Sequence, residues 1–552
     1  MRENLEGFLA GAREQGAPVA RFVERELRAY LDCGVLANGF LRLHCDACGH
    51  DRLLAFSCKG RGLCPSCGGR RMADTAAHLV DRVLPEVATR QWVLTLPYPL
   101  RYRCAWDARL TSEVLRAFLR ALFADLRRRA RRQHGLRGGL CGAVTAIQRF
   151  GSALNLTPHF HSLVLDGVYA GPAHDPGPFL PLPPPATEDV ARVMAGTARR
   201  VMRLLEKRGL ASNDDPLAAD DPLLATLMTA SIRSRIATGP QAGQPWRRLG
   251  DRVEPVEPGE EDAEAVARTP VRCVRQGGMS LHADVSVPAR DRQRLERLCR
   301  YIVRPPLALE RLEALPDGHL AYRLKTRWRD GTTHIVMERR ELLERLAPLI
   351  PPPRAHQVRY HGVLAPCASG RDRVVPSAGK SIAADGVPAR NETMTATAIS
   401  MGGVKSHQQL AALGGLGSSR ATPGEATIRG GQFGSSATKS GSDIAACGVV
   451  ESLETLREPP PRARHLRWSE LLKRVFGTSA LRCSRCGKSM RVLATITDPA
   501  VAKRILVSMN LSPRAPPLAP AARPEPVADA WPGESEATEF DQTPPGDWDL
   551  DA

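Results

Sequence analysis

The chain has 552 residues, with 77 Lys or Arg against 59 Asp or Glu, which gives a formal net charge of +18. This length allows several domains, and the basic excess is typical of proteins that bind nucleic acid. The N-terminal residues do not resemble a signal peptide, and the sequence has no apolar run of about 18 residues that would span a membrane. We therefore expect a cytoplasmic protein with reduced thiols and no membrane partner.

The N-terminal part of the chain predicts a helical segment at 18–32, followed by a cluster of cysteines. Two Cys-x2-Cys pairs separated by fifteen residues have the spacing of a tetrahedral structural Zn²⁺ site. The residues of these two pairs are Cys45, Cys48, Cys64 and Cys67. Cys58, His44 and His50 lie near the pairs in sequence, and each could replace one of the four ligands.

The next predicted elements are a buried strand at 92–97 and a long helix at 107–133. The helix ends in the arginine-rich run 127–132, which we expect to contact phosphate groups. Further along, a proline-rich connection at 172–185 precedes a predicted helix at 188–207.

The run from Leu154 to Tyr169 predicts a strand that carries two histidines separated by one apolar residue. Alternate side chains of a strand point to the same face, so His159 and His161 can bind one metal ion while Phe160 faces the other side. Asp166-Gly167 is a hairpin signal that would end the strand. A pair of imidazoles supplies half of a metal site, whereas the alternative is a pair of core or surface histidines.

Residues 291–304 have helical periodicity and place a tyrosine among arginines. At about 100° per residue, Tyr301 falls on a basic face and not on the apolar stripe. The basic residues that share this face are Arg294, Arg297 and Arg304. Guanidinium groups bind phosphate and favour a phenolate, so this face suits a phosphodiester, although Tyr301 could also lie at the edge of a packed helix.

From about residue 368 to 460 the chain is rich in Gly, Ser, Ala and Thr, which predicts a disordered linker. A small helical module is expected at 465–510, before a Pro-rich and then acidic tail at 511–552. The module contains the pair Cys483-x2-Cys486, which needs His465, Cys447 or another chain to complete a four-ligand site. The alternative is a tight turn with two free thiols.

In their order along the chain, these segments resemble the HUH single-strand nucleases, and more narrowly the rolling-circle transposases of the IS91 family of bacterial insertion sequences. The matching segments are the N-terminal cysteine cluster and residues 92–98, 148–155, 300–306, 360–365, 468–476 and 481–486. The resemblance implies an α+β fold with a zinc-binding module at 18–85 and an HUH catalytic domain at 88–365. That catalytic domain would be an antiparallel sheet with flanking helices.

The resemblance also implies a reaction. Tyr301, assisted by Arg297 and Arg304, would attack a DNA phosphodiester and form a 5′-phosphotyrosine, and a catalytic Mg²⁺ or Mn²⁺ would bind the scissile phosphate. His159 and His161 would hold this ion, with Gln148 as first and His282 as second candidate for the third ligand. The N-terminal module, with its surplus cysteine, would hold Zn²⁺.

Some relatives of this group use two tyrosines four residues apart, whereas Pro305 stands four residues after Tyr301. The resemblance is therefore to the single-tyrosine branch, in which two successive transfers require a homodimer or reuse of the nucleophile. Tyr360 is the reserve nucleophile. The expected partner is single-stranded DNA of the element ends and of the target, in a nucleoid-associated bacterial protein. The alternatives are a plasmid or phage replication initiator with the same chemistry and a catalytically dead, zinc-dependent DNA-binding protein.

Overall fold

The structure is a computed structural model, and it describes residues 1–60, 62–210, 215–250, 272–328, 330–376, 474 and 481–518. Nearly all of the predicted linker at 368–460 lies outside the described residues, as do His465, Cys447, most of the first part of the C-terminal module and the tail from 519 onward. Among the described residues, no helix has both the length and the apolar character that crossing a bilayer requires.

The α-helices of the described residues are numbered in chain order. They are α1 (Leu5–Glu14), α2 (Arg21–Asp32), α3 (Pro65–Arg82), α4 (Tyr98–Trp106), α5 (Ala108–His134), α6 (Thr187–Lys207), α7 (Pro216–Asp220), α8 (Pro222–Ile232), α9 (Arg292–Ile302), α10 (Arg339–Leu346), α11 (Arg371–Val374) and α12 (Pro499–Ser508).

The strands are numbered in the same way. They are β1 (Phe40–His44), β2 (Asp51–Ala55), β3 (Thr89–Thr95), β4 (Gly142–Phe150), β5 (Leu156–Leu165), β6 (Gly167–Tyr169), β7 (Phe179–Pro181), β8 (Arg247–Gly250), β9 (Cys273–Gln276), β10 (Met279–His282), β11 (Ser286–Val287), β12 (Leu312–Ala314), β13 (Leu320–Arg323), β14 (Thr332–Met337), β15 (Val358–Gly362) and β16 (Arg491–Ile496).

The largest sheet is antiparallel and has the strand order β15-β4-β5-β3-β10-β9, with β11 pairing to the end of β3. A second sheet joins β12, β13, β14 and β8, and a third joins β16, β1 and β2. The mixture of helices and antiparallel sheets, with a cysteine-rich N-terminal module and a C-terminal helix, confirms the predicted α+β class.

Helices cover both faces of the largest sheet, because both faces of its central strands are apolar. On one face, Leu163 and Leu165 of β5 pack with α3 and α9. On the other face, Phe160 and Val164 pack with α5 and α6. His159 and His161 alternate with Phe160, so they point to the face that α9 covers.

The helix that carries Tyr301 has sequence signals at both ends. The Asp291 side chain accepts a hydrogen bond from the backbone N–H of Arg294, which satisfies one free donor in the first turn. The helix ends at Ile302, shortly before Pro305-Pro306, because proline cannot continue a helical hydrogen-bond ladder. Leu295, Cys299 and Ile302 form the buried stripe, and Tyr301 lies outside it.

The end of β5 differs from the prediction. Asp166-Gly167 does not turn the chain back on itself, because β6 follows directly and pairs with β7, and not with β5. Asp166 is instead buried and accepts hydrogen bonds from Nε and Nη2 of Arg90 at 3.0 and 2.8 Å. Arg90 Nη1 also donates to the backbone oxygen of Ala283 at 3.0 Å. An ion pair between β3 and the end of β5 therefore replaces the expected hairpin.

Removing the carboxylate of this pair should destabilise the fold, since it leaves a buried guanidinium without its partner. We expect Asp166→Ala to lower the free energy of unfolding by about 3–5 kcal/mol. The measurement is urea unfolding followed by tryptophan fluorescence. Asp175→Ala is the control, because its ion pair with Arg373 is solvent-exposed and should contribute at most about 1 kcal/mol. An equal effect of both substitutions would contradict the prediction.

Candidate functional site

The two histidines of β5 converge through their Nε2 atoms. His159 Nδ1 lies 2.6 Å from the backbone oxygen of Thr157, and it must donate because a carbonyl oxygen can only accept. The His159 Nε2 atom therefore carries a lone pair, and it lies 3.0 Å from Nε2 of His161. Two imidazole nitrogens at this separation can share one proton or bind one cation.

Gln91 of β3 determines which ring nitrogen of His161 carries the proton, because Gln91 Nε2 lies 2.7 Å from His161 Nδ1. With the amide in this orientation, Gln91 donates to Nδ1, and His161 holds its proton on Nε2. A half-turn of the amide would present Oε1 instead, move the proton to Nδ1 and free Nε2 to bind a metal ion. Gln91 is a residue that sequence reasoning missed, because it is identified only by the pairing of β3 with β5.

Both histidines are neutral at neutral pH. Burial lowers the pKa of His159 to about 4, with smaller contributions from the charges of Arg304 and Arg101. Burial likewise lowers the pKa of His161 to about 2, assisted by His159 and Arg304. Neutral imidazole is the form that binds metal ions, so each histidine can supply a ligand atom without the need to remove a proton from an imidazolium.

Gln148 lies directly opposite His159, on β4, as expected for a chain that folds back near Gly151. Its Nε2 donates to the backbone oxygens of Tyr301 at 3.1 Å and Ile302 at 2.8 Å. These hydrogen bonds join the last turn of α9 to the histidine strands. Among the described residues, no group hydrogen-bonds to the buried Oε1 of Gln148, which is therefore an oxygen that a cation could satisfy.

Tyr301 lies next to the histidine pair, with its ring edge-on to that of His161 at a centroid separation of 5.9 Å and an interplanar angle of 85°. Two cations lie over the phenol ring: Arg304 Cζ is 4.4 Å and Lys325 Nζ is 4.5 Å from its centroid. Burial raises the pKa of Tyr301, but the hydrogen bond from Arg304 and the charges of Arg304 and Lys325 outweigh it and lower the pKa below its usual value.

The other residues singled out from the sequence lie further from this site. Arg297 is exposed one turn before Tyr301 on α9. His282 shares the face of His161 but lies two strands away, with Val93 between them. At the usual spacing of strands, this separates the two histidines by about 10 Å. Tyr360 is half-buried on β15, at the sheet edge next to β4. Lys325, from the segment between β13 and β14, was not predicted, although it belongs to a short basic run.

The structure does not bring the two N-terminal Cys pairs into one site. They belong to two clusters, and the ligand atoms of each cluster lie within 4.8 Å of one another. The first cluster is Cys33, Cys58, Cys64 and Cys67, and the second is Cys45, Cys48, Cys483 and Cys486. Tetrahedral Zn²⁺ with bonds of about 2.3 Å separates its sulfurs by about 3.8 Å, and the shortest Sγ separations are 3.4 Å in both clusters.

The hairpin of β1 and β2 explains this division. Cys45 and Cys48 lie in the turn between the two strands, whereas Cys33 and Cys58 flank the opposite end of the hairpin. Five-residue strands extend about 17 Å, so one ion cannot bind at both ends. The expectation of a single site formed by both pairs is therefore wrong, whereas the alternative that Cys58 replaces a ligand agrees with the first cluster. Among the described residues, neither His44 nor His50 belongs to a cluster, and His44 Nδ1 contacts Asp51 at 2.6 Å.

Two protein-family models match the chain. Residues 142–372 match the family described as "Putative transposase", and residues 5–96 match the family described as "Transposase zinc-binding domain" of IS91 elements. The first match contains His159, His161, Gln148 and Tyr301, and the second contains the whole first cysteine cluster. Searches of curated proteins and of solved structures gave no match.

The two matches together cover more than half of the chain, in the order expected from the sequence. They support a transposase rather than a replication initiator, and they imply DNA as the partner and zinc as a bound metal. The chain belongs to the IS91 family of transposases, enzymes that process DNA and carry an N-terminal zinc-binding domain.

Proposed function

We propose that this transposase cuts and rejoins single-stranded DNA through a covalent 5′-phosphotyrosine on Tyr301. The observation that supports this most is the placement of one phenol beside two convergent, neutral imidazoles. Tyr301 is about one-third exposed, so DNA can reach it, and its ring lies 5.9 Å from that of His161. A nucleophile next to a pair of metal ligands is the arrangement that metal-assisted phosphoryl transfer requires.

His159 and His161 would hold the divalent ion through Nε2, and the buried Oε1 of Gln148 fits the third position. Mixed nitrogen and oxygen ligation suits Mn²⁺ and tolerates Mg²⁺. When bound, the ion would offset charge on the scissile phosphate and orient it for in-line attack. Gln91 would complete the arrangement by turning its amide, so that Oε1 accepts from His161 Nδ1 and both Nε2 lone pairs are free.

In the covalent step, the Tyr301 oxygen would form a bond to phosphorus while the bond from phosphorus to the 3′-oxygen breaks. The leaving 3′-oxygen takes up a proton, and the phenolic proton is released to solvent. Tyr301 is helped to ionise because its pKa lies below the usual value, owing to Arg304 and Lys325. Rejoining is the reverse reaction with a different 3′-hydroxyl, so no nucleotide cofactor is needed.

Arg304 is the basic residue best placed to contact the phosphate. Its Nη1 atom is buried and has no hydrogen-bond partner among the described residues. A buried unpaired N–H donor is costly, and a phosphate oxygen would satisfy it. Arg297 would act at longer range, on the DNA strand that enters the site, because its side chain is exposed one helical turn before Tyr301.

Two successive transfers need two nucleophiles or one that is used twice. Four residues after Tyr301, where a second tyrosine would stand in the two-tyrosine relatives, this chain has Pro305, so Tyr301 is the one tyrosine offered at this face. We therefore propose that the transposase acts as a homodimer or reuses Tyr301, on single-stranded element ends and target DNA.

The first experiment tests the nucleophile. The purified protein is incubated with labelled single-stranded oligonucleotides from its element ends and Mn²⁺ or Mg²⁺, and SDS-resistant adducts are resolved by electrophoresis. We expect an adduct with the wild type and none with Tyr301→Phe, because phenylalanine lacks the attacking oxygen. Tyr360→Phe is the matched control and should retain the adduct. An adduct that persists in Tyr301→Phe would refute the assignment, and DNA binding without any wild-type adduct would favour the catalytically dead alternative.

The second experiment separates the two roles of Gln148. Gln148→Leu removes both the oxygen ligand and the donor to α9, so Mn²⁺ affinity should fall at least about tenfold. Gln148→Glu keeps an oxygen but cannot donate to the backbone oxygens of Tyr301 and Ile302. It should therefore retain Mn²⁺ binding, measured by calorimetry, yet give less adduct. Thr145→Val, on the opposite face of β4, is the control. Unchanged Mn²⁺ affinity in Gln148→Leu would exclude Gln148 as a ligand.

The third experiment tests the cations around the phenol. Lys325→Gln removes an exposed charge that lies 4.5 Å from the Tyr301 ring and should slow adduct formation about two- to fivefold, since one such contact at an exposed site contributes about 0.5–1 kcal/mol. Arg323→Gln, two residues earlier and exposed, is the charge-matched control. Equal single-turnover rates for the two variants would show that Lys325 does not assist the phenol.

A further inference from the structure

The C-terminal segment completes the small sheet of the N-terminal module. Strand β16 pairs antiparallel with β1, from Phe40 opposite Ile496 to His44 opposite Arg491. The other edge of β1 pairs with β2, so β1 is the central strand. Leu506 of α12 packs on Phe40, and both side chains are fully buried. Residues more than 400 positions apart thus form one three-stranded unit.

The turns at one end of this sheet have the same backbone structure. The N–H of Cys45 donates to the oxygen of His50 at 2.9 Å, and the N–H of Cys483 donates to the oxygen of Lys488 at 2.8 Å. In each turn the glycine after the second cysteine donates to the oxygen of the first cysteine, at 2.8 and 2.9 Å. Both glycines, Gly49 and Gly487, have positive φ values, of 68° and 71°. The two turns are therefore equivalent knuckles.

The knuckles face one another. Cys45 Sγ lies 3.4 Å from Cys486 Sγ, and Cys48 Sγ lies 3.6 Å from Cys483 Sγ. These separations join different knuckles, and they are close to the sulfur spacing of a tetrahedral thiolate site, about 3.8 Å. Two further contacts fix the arrangement: Arg491 pairs with Asp46 at 2.9 Å, and Leu43 packs with Met490 beneath the cysteines.

We propose that Cys45, Cys48, Cys483 and Cys486 bind a second structural Zn²⁺, which fastens the C-terminal segment to the N-terminal module. Four thiolates in two facing knuckles on a three-stranded sheet form a zinc ribbon, assembled here from the two ends of the chain. Cys483 and Cys486 lie outside the matched zinc-binding domain, so half of the ligands come from a part of the chain that this domain does not include. The inference does not depend on the chemistry of Tyr301.

A second contact of the same C-terminal region reaches the helix that carries the tyrosine. Arg474 binds Asp81 of α3 at 2.5 Å and Glu296 of α9 at 2.7 Å. The two carboxylates raise the pKa of Arg474, which stays charged. The zinc ribbon would thus hold in place a region of the chain that also bridges α3 and α9.

The test uses thiol alkylation of the full-length, zinc-loaded protein, with peptide mapping by mass spectrometry. Cys486 is exposed, so burial cannot protect it from N-ethylmaleimide, whereas a bound zinc ion would. We expect Cys486 to be protected in the wild type and to react in Cys45→Ser/Cys48→Ser. The matched control is Cys64→Ser/Cys67→Ser, in which Cys486 should stay protected. Cys367 is exposed and belongs to neither cluster, so it reports full reactivity in every sample.

Zinc content provides a second measurement that does not depend on disturbing the N-terminal module. We expect two zinc ions per wild-type chain, one for each cluster, and one in Cys483→Ser/Cys486→Ser. In that variant Cys48 should become reactive while Cys58 stays protected. Ready alkylation of Cys486 in the zinc-loaded wild type, its protection in Cys45→Ser/Cys48→Ser, or unchanged zinc content in Cys483→Ser/Cys486→Ser would each overturn the proposal.

Discussion

The register between β4 and β5 is the constraint on which the candidate active site depends. It sets Gln148 opposite His159 and directs both side chains to the face covered by α9. A slip of one residue would turn the histidines to the face that packs on α5, away from Gln148 and Tyr301. The register is fixed because Phe160 and Val164 must be buried on one face and Leu163 and Leu165 on the other. Core packing therefore determines the geometry of the polar site.

One cation lowers the pKa of both kinds of titratable group at this site. The charge of Arg304 adds to the burial that lowers the pKa of His161, and it lowers the pKa of Tyr301 against the effect of burial. Protonated imidazole could not bind a metal ion, and a neutral phenol is a weak nucleophile. Arg304 therefore favours the reactive form of both groups.

The sequence predicted those parts of the site that depend on local periodicity. The same-face arrangement of His159 and His161 follows from the two-residue period of a strand, and the position of Gln148 follows from the short connection between β4 and β5. Lys325 and Gln91 could not be predicted, since they reach the site only through the packing of a separate sheet and through the register of β3.

The partners of the arginine-rich run of α5 and the grouping of the cysteines also depend on contacts between distant parts of the chain. Within the arginine-rich run at the end of α5, which was expected to contact phosphate, Arg128 pairs with Asp189 of α6 at 3.0 Å and Arg129 is buried. Arg127 and Arg131 are exposed, and for them the contact with phosphate stays a prediction. The charge of Arg128 helps to hold α5 and α6 together through Asp189. This acidic partner lies about 60 positions further along the chain, so the pairing could not be predicted from the local sequence. The grouping of the cysteines likewise depends on the length of one hairpin and on ligands at the other end of the chain.

The zinc-binding module and the tyrosine helix form a continuous structure. Gly68 follows Cys67 in the first turn of α3, and a Cβ atom at this position would lie 2.7 Å from Cβ of Pro305. Only glycine allows this approach, because any larger side chain would have to displace the proline ring that follows Tyr301 and Arg304. A change at the first cysteine cluster would therefore be transmitted to the end of α9 by direct contact. Arg474 adds a second connection between the same two helices, so the position of Tyr301 depends on the cysteine-rich module as well as on the sheet that carries the histidines.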